Sequence, residues 1–202
     1  AELEAEGVPV DRAALNTPDD AIVLLALGRL HKAKALDVLL EAVSHVPDVY
    51  LWIAGEGPDR AVLEALCTKL GLDNRVRFLG WRDDRAALFS SVDVCVFPSR
   101  YEPFGTVFVQ AWAQRVPLVT AASDGPLQYV RDGEDGLMVP VDDVAALTAA
   151  IKRVTADADL CARMTEKGFQ RYQAEFTKVN TVSRYLAYYH EMLKAEGLTT
   201  EV

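Results

Sequence analysis

Unbroken apolar runs alternate along this chain with stretches in which apolar positions recur every three or four residues. Ala21 to Leu27 is a continuous run of the kind seen in strands buried on both faces of a parallel sheet. Leu36, Leu39, Leu40 and Val43 then fall on one face of a predicted helix. Val49 to Ala54 predicts a second strand, closed by the turn Gly55-Glu56-Gly57-Pro58. Leu63, Leu66 and Leu70 align on a second helix, with Asp59 as its expected cap and Gly71 just past its end. Val76 to Leu79 predicts a third strand and Leu88 marks a short helix. Val92 to Phe97 predicts a fourth strand despite Asp93 inside it.

After Gly105 about ten residues read as a helix, with Val107, Ala111 and Trp112 on one face. Leu118 to Ala121 and Leu137 to Val139 complete the strands, with a short helix from Gly125-Pro126 to Tyr129 between them. Asp142-Asp143 cap a helix carrying Val144, Leu147, Ile151 and Val154, and another runs from Leu160 to Tyr172. The last begins near Thr177 and presents Val179, Val182, Leu186, Tyr189 and Leu193. Tyr185, Tyr188 and Tyr189 fit its packing face better than a ligand box. Strands alternating with helices in this way predict an α/β, doubly wound, Rossmann-like parallel sheet of about six strands. Residues 1–20 read as a lead-in or linker and residues 21–175 as the domain. Ligands of such sheets bind at the carboxyl ends of the strands.

Composition narrows the classes. The 202 residues suffice for one sizeable α/β domain, and a net charge of −9 argues against general nucleic-acid binding. No apolar run approaches the roughly 20 residues of a membrane span, and the acidic start AELEAEG does not resemble a signal peptide. Cys67, Cys95 and Cys161 are scattered and read as reduced thiols of a cytoplasmic protein. The three histidines are far apart, so no metal site is expected.

Candidate chemistry concentrates in Pro98 to Pro117, PSRYEPFGTVFVQAWAQRVP. A buried strand there ends in a loop with one carboxylate, Glu102, and the loop leads to a helix N-terminus. The free N–H groups of that first turn, Gly105 to Phe108, suit an anion such as a phosphate. An ordinary strand-loop-helix crossover has the same spacing. Arg29 and Lys34, five residues apart after the first strand, offer a planar fork and a point charge for phosphate oxygens. They fit equally two solvated cations on a helix-entering loop. Gly55-Glu56-Gly57-Pro58 lacks the G-x-G-x-x-G spacing, since Arg60 stands three past Gly57, so a dinucleotide-binding oxidoreductase is disfavoured.

These stretches resemble the retaining nucleotide-sugar glycosyltransferases of the GT-B fold, group 1, family 4 type. The family pattern is Glu, seven residues, Glu, with Phe-Gly after the first. Here Glu102, Phe104 and Gly105 match, and Gln110 stands in the second position. The run from Gly28 through Lys34 is similar to the family's Gly-Arg-Leu … Lys-Gly turn, with Ala35 for the Gly, a change that a helical first turn would accept. The resemblance implies that Arg29 and Lys34 hold the donor diphosphate and ease its departure. It implies that Glu102 touches the transferred sugar and the second acidic position the ribose. Gly28, Phe104, Gly105, Thr106, Val107 and Gln110 would then contribute to donor binding. RVRFLGWRDD resembles the segment whose backbone reads the base, with Arg82 near that contact, although an edge strand with a charged turn reads the same way. Eight residues on a helix rise roughly 12 Å. Glycosidase carboxyl pairs lie about 5–9.5 Å apart, so Glu102 and Gln110 fit two separate contacts on an extended ligand better than an acid/base pair.

Arg115 stands where the family has Gly, as a favourable C-terminal cation for its helix, and Gln128 stands where a Glu is usual. The family has two such domains, the acceptor-binding one first. The resemblance therefore implies one half of a GT-B architecture, inactive alone, with residues 176–202 packing back toward an N-terminal domain. It implies a glycosyltransferase, hexosyltransferase type, taking a UDP-, GDP- or ADP-sugar with no metal or other cofactor. Any peripheral membrane association would come through the other domain. A non-catalytic nucleotide-sugar-binding or regulatory module is the alternative, and a sugar-nucleotide epimerase of related fold a weaker one.

Overall fold

The computed structural model describes residues 7–195. Six strands, β1 (Ile22–Leu27), β2 (Val49–Ala54), β3 (Val76–Gly80), β4 (Val94–Phe97), β5 (Leu118–Ala121) and β6 (Leu137–Val139), form one sheet. Every pairing is parallel and the order is β3-β2-β1-β4-β5-β6. The helices are α1 (Leu36–Ser44), α2 (Arg60–Lys69), α3 (Arg85–Phe89), α4 (Thr106–Ala113), α5 (Asp124–Tyr129), α6 (Val144–Ala156), α7 (Ala158–Glu175) and α8 (Lys178–Ala195). The predicted doubly wound sheet and its strands are therefore present.

Side chains two apart on a strand share a face, and both faces here are apolar. Leu24 and Ala26 join Leu51, Ile53 and Val96 in one core, under α1, α2 and α6. Val23 and Leu25 join Trp52, Cys95 and Phe97 in the other, under α4 and α7. The chain passes from β1 to β2 and β3 in one direction, then returns to lay β4, β5 and β6 in the other. The boundary between β1 and β4 is thus the topological switch point, where the loops leaving the two strands diverge and open a crevice.

Segment 7–20 lies along the sheet. Arg12 donates to the carbonyls of Asp19, Ala21 and Ser91. The buried Trp52 Nε1 donates to Thr17 Oγ1 at 3.0 Å. At the other end α8 carries its apolar residues outward: Val179, Tyr185, Leu186, Tyr188 and Tyr189 are all exposed, and no α8 residue is buried. The face expected to pack is covered only in part: Tyr185 and Tyr188 line an open groove with Phe104, Tyr129 and Phe176.

Local expectations needed three corrections. Asp59 precedes α2 but its side chain makes no capping bond. Ala35 is not in a helical first turn: it precedes α1 in the left-handed region at φ 51°. Arg115 is left-handed too, at φ 54°, with its guanidinium paired to Glu166 and stacked 3.6 Å from the Phe169 ring centre, not on the helix carbonyls. Glycine adopts that region freely, so the Gly that the resemblance expects at each position would fit it without strain.

Candidate functional site

The switch point brings together residues far apart in sequence. Lys34 ends a 3-10 turn, Lys32–Lys34, in the loop after β1, and Glu102 lies in the loop after β4. Lys34 Nζ and Glu102 Oε2 form an ion pair across 68 residues of sequence, with both side chains largely shielded. Lys34 Nζ also sits 5.5 Å from the Phe97 ring centre, at the end of β4. Arg29, on the same loop, is exposed and makes no ion pair or hydrogen bond with the described residues. One cation of the predicted pair is therefore held against the predicted carboxylate, and the other is free.

Gly105 precedes α4 with φ 93°, and a Cβ there would lie 2.8 Å from the Phe97 ring. Only glycine lets the loop turn this tightly over the end of β4. It also has no side chain to cap the helix, so the first-turn N–H groups of Thr106 and Val107 point outward without a side-chain acceptor. Glu102 is one turn upstream of this positive helix end. The loop after β5 supports the arrangement: Gly125 N–H donates to Glu102 O at 2.8 Å, and a Cβ on Gly125 would overlap the Phe104 carbonyl. Phe104 is half-exposed against Tyr129, Phe108 and Phe176, with ring centres 5.1 to 6.2 Å away.

Every residue of α4 from Val107 to Ala113 is buried, Gln110 among them. Its Oε1 has no hydrogen-bond partner, and neither do the buried hydroxyls of Ser99 and Ser123. An unpartnered buried acceptor costs roughly 1–3 kcal/mol. Ser99 and Ser123 directly follow the carboxyl ends of β4 and β5, the side where ligands of this fold bind, and Gln110 lies in α4, which the β4 loop leads into. Ser99 lines a crevice of about 10 Å³ with Gly28, Lys34 and Phe97. Arg82, two strands from β1 at the sheet's edge, does not reach Lys34 or Glu102; its guanidinium is bound by Asp84. Gln128 is exposed on α5. Among the described residues no three His, Cys, Asp or Glu side chains gather to hold a metal ion. Burial pushes the free Cys67 and Cys95 thiols up to about 11 and about 12.

Sequence reasoning missed the cluster of Arg100, Asp37 and Asp142. Of the two aspartates expected to cap α6 only Asp143 does so, by accepting from Ala146 N–H, while Asp142 turns to Arg100. Arg100 NH2 donates to Asp37 Oδ2 at 2.7 Å and NH1 to Asp37 Oδ1 at 2.9 Å, while Nε lies 2.5 Å from Asp142 Oδ1. Burial draws the Asp37 carboxyl upward, but the Arg100 hydrogen bonds and charge outweigh it and hold the group below its ordinary value. No local pattern signals this cluster, because Arg100 and Asp37 are 63 residues apart.

Comparison with known proteins agrees with this fold. The family model described as glycosyl transferases group 1 matches residues 8–171. The lipopolysaccharide core biosynthesis glycosyltransferase LpsE of Rhizobium meliloti is 42% identical over 179 residues, covering 89% of this chain and 53% of that protein. Among solved structures, sucrose-phosphate synthase from Thermosynechococcus elongatus aligns with a TM-score of 0.86 at 32% identity, over 96% of this chain and 51% of the other. HepE from Anabaena, solved in complex with UDP and glucose, aligns with a TM-score of 0.78 at 26% identity, over 83% and 48%. The chain spans about half the length of the curated relatives it matches. No helix among the described residues is long and apolar enough to cross a membrane. With its Rossmann-like sheet matching one domain of GT-B glycosyltransferases, the chain belongs to the glycosyl transferases group 1 family.

Proposed function

We propose that this chain is the nucleotide-sugar donor-binding half of a retaining, metal-independent glycosyltransferase, inactive alone, whose other half binds the acceptor. The carrying observation is the Lys34–Glu102 pair beside the uncapped N-terminus of α4, at the β1/β4 switch point. Three anion-attracting features lie on the loops that leave β1 and β4: Lys34, the free Arg29, and the helix end with Thr106 and Val107. In this reading Arg29 and Lys34 hold the diphosphate and stabilise it as it leaves, and Glu102 contacts the transferred sugar. A ribose hydroxyl would supply the missing partner of Gln110 Oε1. Gly28, Arg82, Phe104 and Gly105 complete the donor contacts. HepE's complex with UDP makes UDP the first nucleotide to try. A cytoplasmic place for the protein, with any membrane contact made by the other half, belongs to the same proposal.

Gln110 favours a second reading. A neutral amide grips a ribose less strongly than a carboxylate, and a module that binds a nucleotide sugar without turning it over has the same architecture. Calorimetric titration of the chain with UDP, GDP and ADP tests both. One diphosphate is expected to bind, about tenfold or more weakly after Arg29→Ala or Lys34→Ala, as for loss of a charge-assisted contact. No binding at millimolar concentration removes the donor reading for this chain, unless Gln110→Glu restores it and identifies a site that has lost its donor. Transfer to an acceptor by the longer protein separates an enzyme from a binding module, and an epimerase would instead return an altered nucleotide sugar.

A further inference from the structure

Arg100 holds together three loops that the sheet order brings to the same edge. It sits between β4 and Glu102, grips Asp37 in the first turn of α1 with both NH groups, and reaches Asp142 ahead of α6. Its NH1 also donates to the Lys32 carbonyl at 2.7 Å, and its backbone N–H to the Ala33 carbonyl at 2.9 Å. Lys32 and Ala33 immediately precede Lys34, and Arg100 precedes Glu102 by two residues. The same side chain and backbone therefore fix the chain just before each member of the Lys34–Glu102 pair. Asp142 is held at φ 60°, a left-handed conformation that a non-glycine residue keeps where its surroundings impose it. With two carboxylates about it, Arg100 has no charge left to offer a phosphate.

We propose that Arg100 is a positioning residue for the donor site: it sets Lys34 and Glu102 against each other across the β1/β4 boundary without touching the ligand. The proposal rests on the donor-binding reading for its consequence, but its geometry can be tested without a ligand. A planar fork matches the two Asp37 oxygens, while an ammonium contacts them as a point. Arg100→Lys should therefore retain only part of the effect.

Two measurements decide it. In the first, Lys34→Ala, Glu102→Ala and their double variant are unfolded with denaturant, with Arg100 present and with Arg100→Ala. The coupling between Lys34 and Glu102 should be measurable in the first set and absent in the second. Equal coupling in both sets overturns the proposal; where Arg100→Ala does not fold, Arg100→Lys takes its place and should show reduced coupling. In the second, UDP is titrated against Arg100→Ala, Lys34→Ala and the two combined. Each single change is expected to weaken UDP about tenfold, and the combination no further than Lys34→Ala alone, since interacting residues are not additive. Losses that multiply mean that Arg100 acts only through general stability, and overturn the proposal. Failure of UDP, GDP and ADP to bind the unaltered chain counts against the donor reading, while the first measurement still rules on Arg100.

Discussion

The two edges of the sheet use similar side chains differently. At the edge where strands begin, cations are bound up in the fold. Arg12 serves the Ser91, Asp19 and Ala21 carbonyls, Arg75 those of Val46 and Val49, and Arg77 those of Leu15, Asn16, Asp73, Val76 and Asn74. Arg171 pairs at 2.9 Å with Asp135, whose other oxygen accepts from Arg131 N–H. At the edge where strands end, Arg29 is free, Lys34 is paired only with Glu102, and the buried hydroxyls of Ser99 and Ser123 lack partners, as does the Gln110 carbonyl inside α4. The first edge is closed by its hydrogen bonds; the second, apart from the Arg100 clamp, keeps bonding capacity in reserve. Unspent polar groups lower stability and are retained where a ligand can use them.

The largest effect expected from this contrast is at the closed edge. Arg171→Ala leaves Asp135 buried without its charge partner and should cost about 3–5 kcal/mol in denaturant unfolding. A cost no greater than that of removing the free Arg29 would break the comparison. Acid titration sharpens it, because the two clamped carboxylates differ in sign. Burial raises the Asp135 pKa despite the Arg131 and Arg171 contacts. Its contribution is fully present below the ordinary carboxylate range and is lost as pH rises through the raised folded value. Asp37, held down by Arg100 against burial, contributes stability present above that range and lost as pH falls through its lowered folded value. Comparing Asp135→Asn and Asp37→Asn with the unaltered chain across pH 2–7 should therefore give slopes of opposite sign.

Hydroxyls give the next test. Thr17→Ala removes the acceptor of the buried Trp52 N–H and should cost about 1–3 kcal/mol. Ser99→Ala and Ser123→Ala remove hydroxyls without partners and should each raise stability by about 1 kcal/mol. Destabilisation by both serine changes would mean that these groups are not held in reserve. Smallest of all, Arg29→Ala should leave the unfolding free energy within about 0.5 kcal/mol of unaltered while weakening nucleotide binding.

Legibility followed the range of the interaction. The helix with Leu36, Leu39, Leu40 and Val43 was readable because its period is local, and all four residues are buried. The loop motif around Glu102, Phe104 and Gly105 was readable because its residues are adjacent in sequence. Ala35 and Arg115 misled because a left-handed φ depends on how the chain leaves or enters the next element. The Arg100 clamp was invisible because its partners come from the first turn of α1 and the loop ahead of α6.

By itself the sequence determined the alternation of strand and helix, the two-faced burial of the strands, and the residue types offered after β1 and β4. Those follow from periodicity and from chemistry carried within a few neighbouring residues. Only the tertiary structure decided that β4 lies beside β1. That pairing sets Lys34 against Glu102, leaves Arg29 free and strands the Gln110 carbonyl inside α4. The reason is that strand order arises from the packing of the whole sheet, and no stretch of the chain encodes it locally.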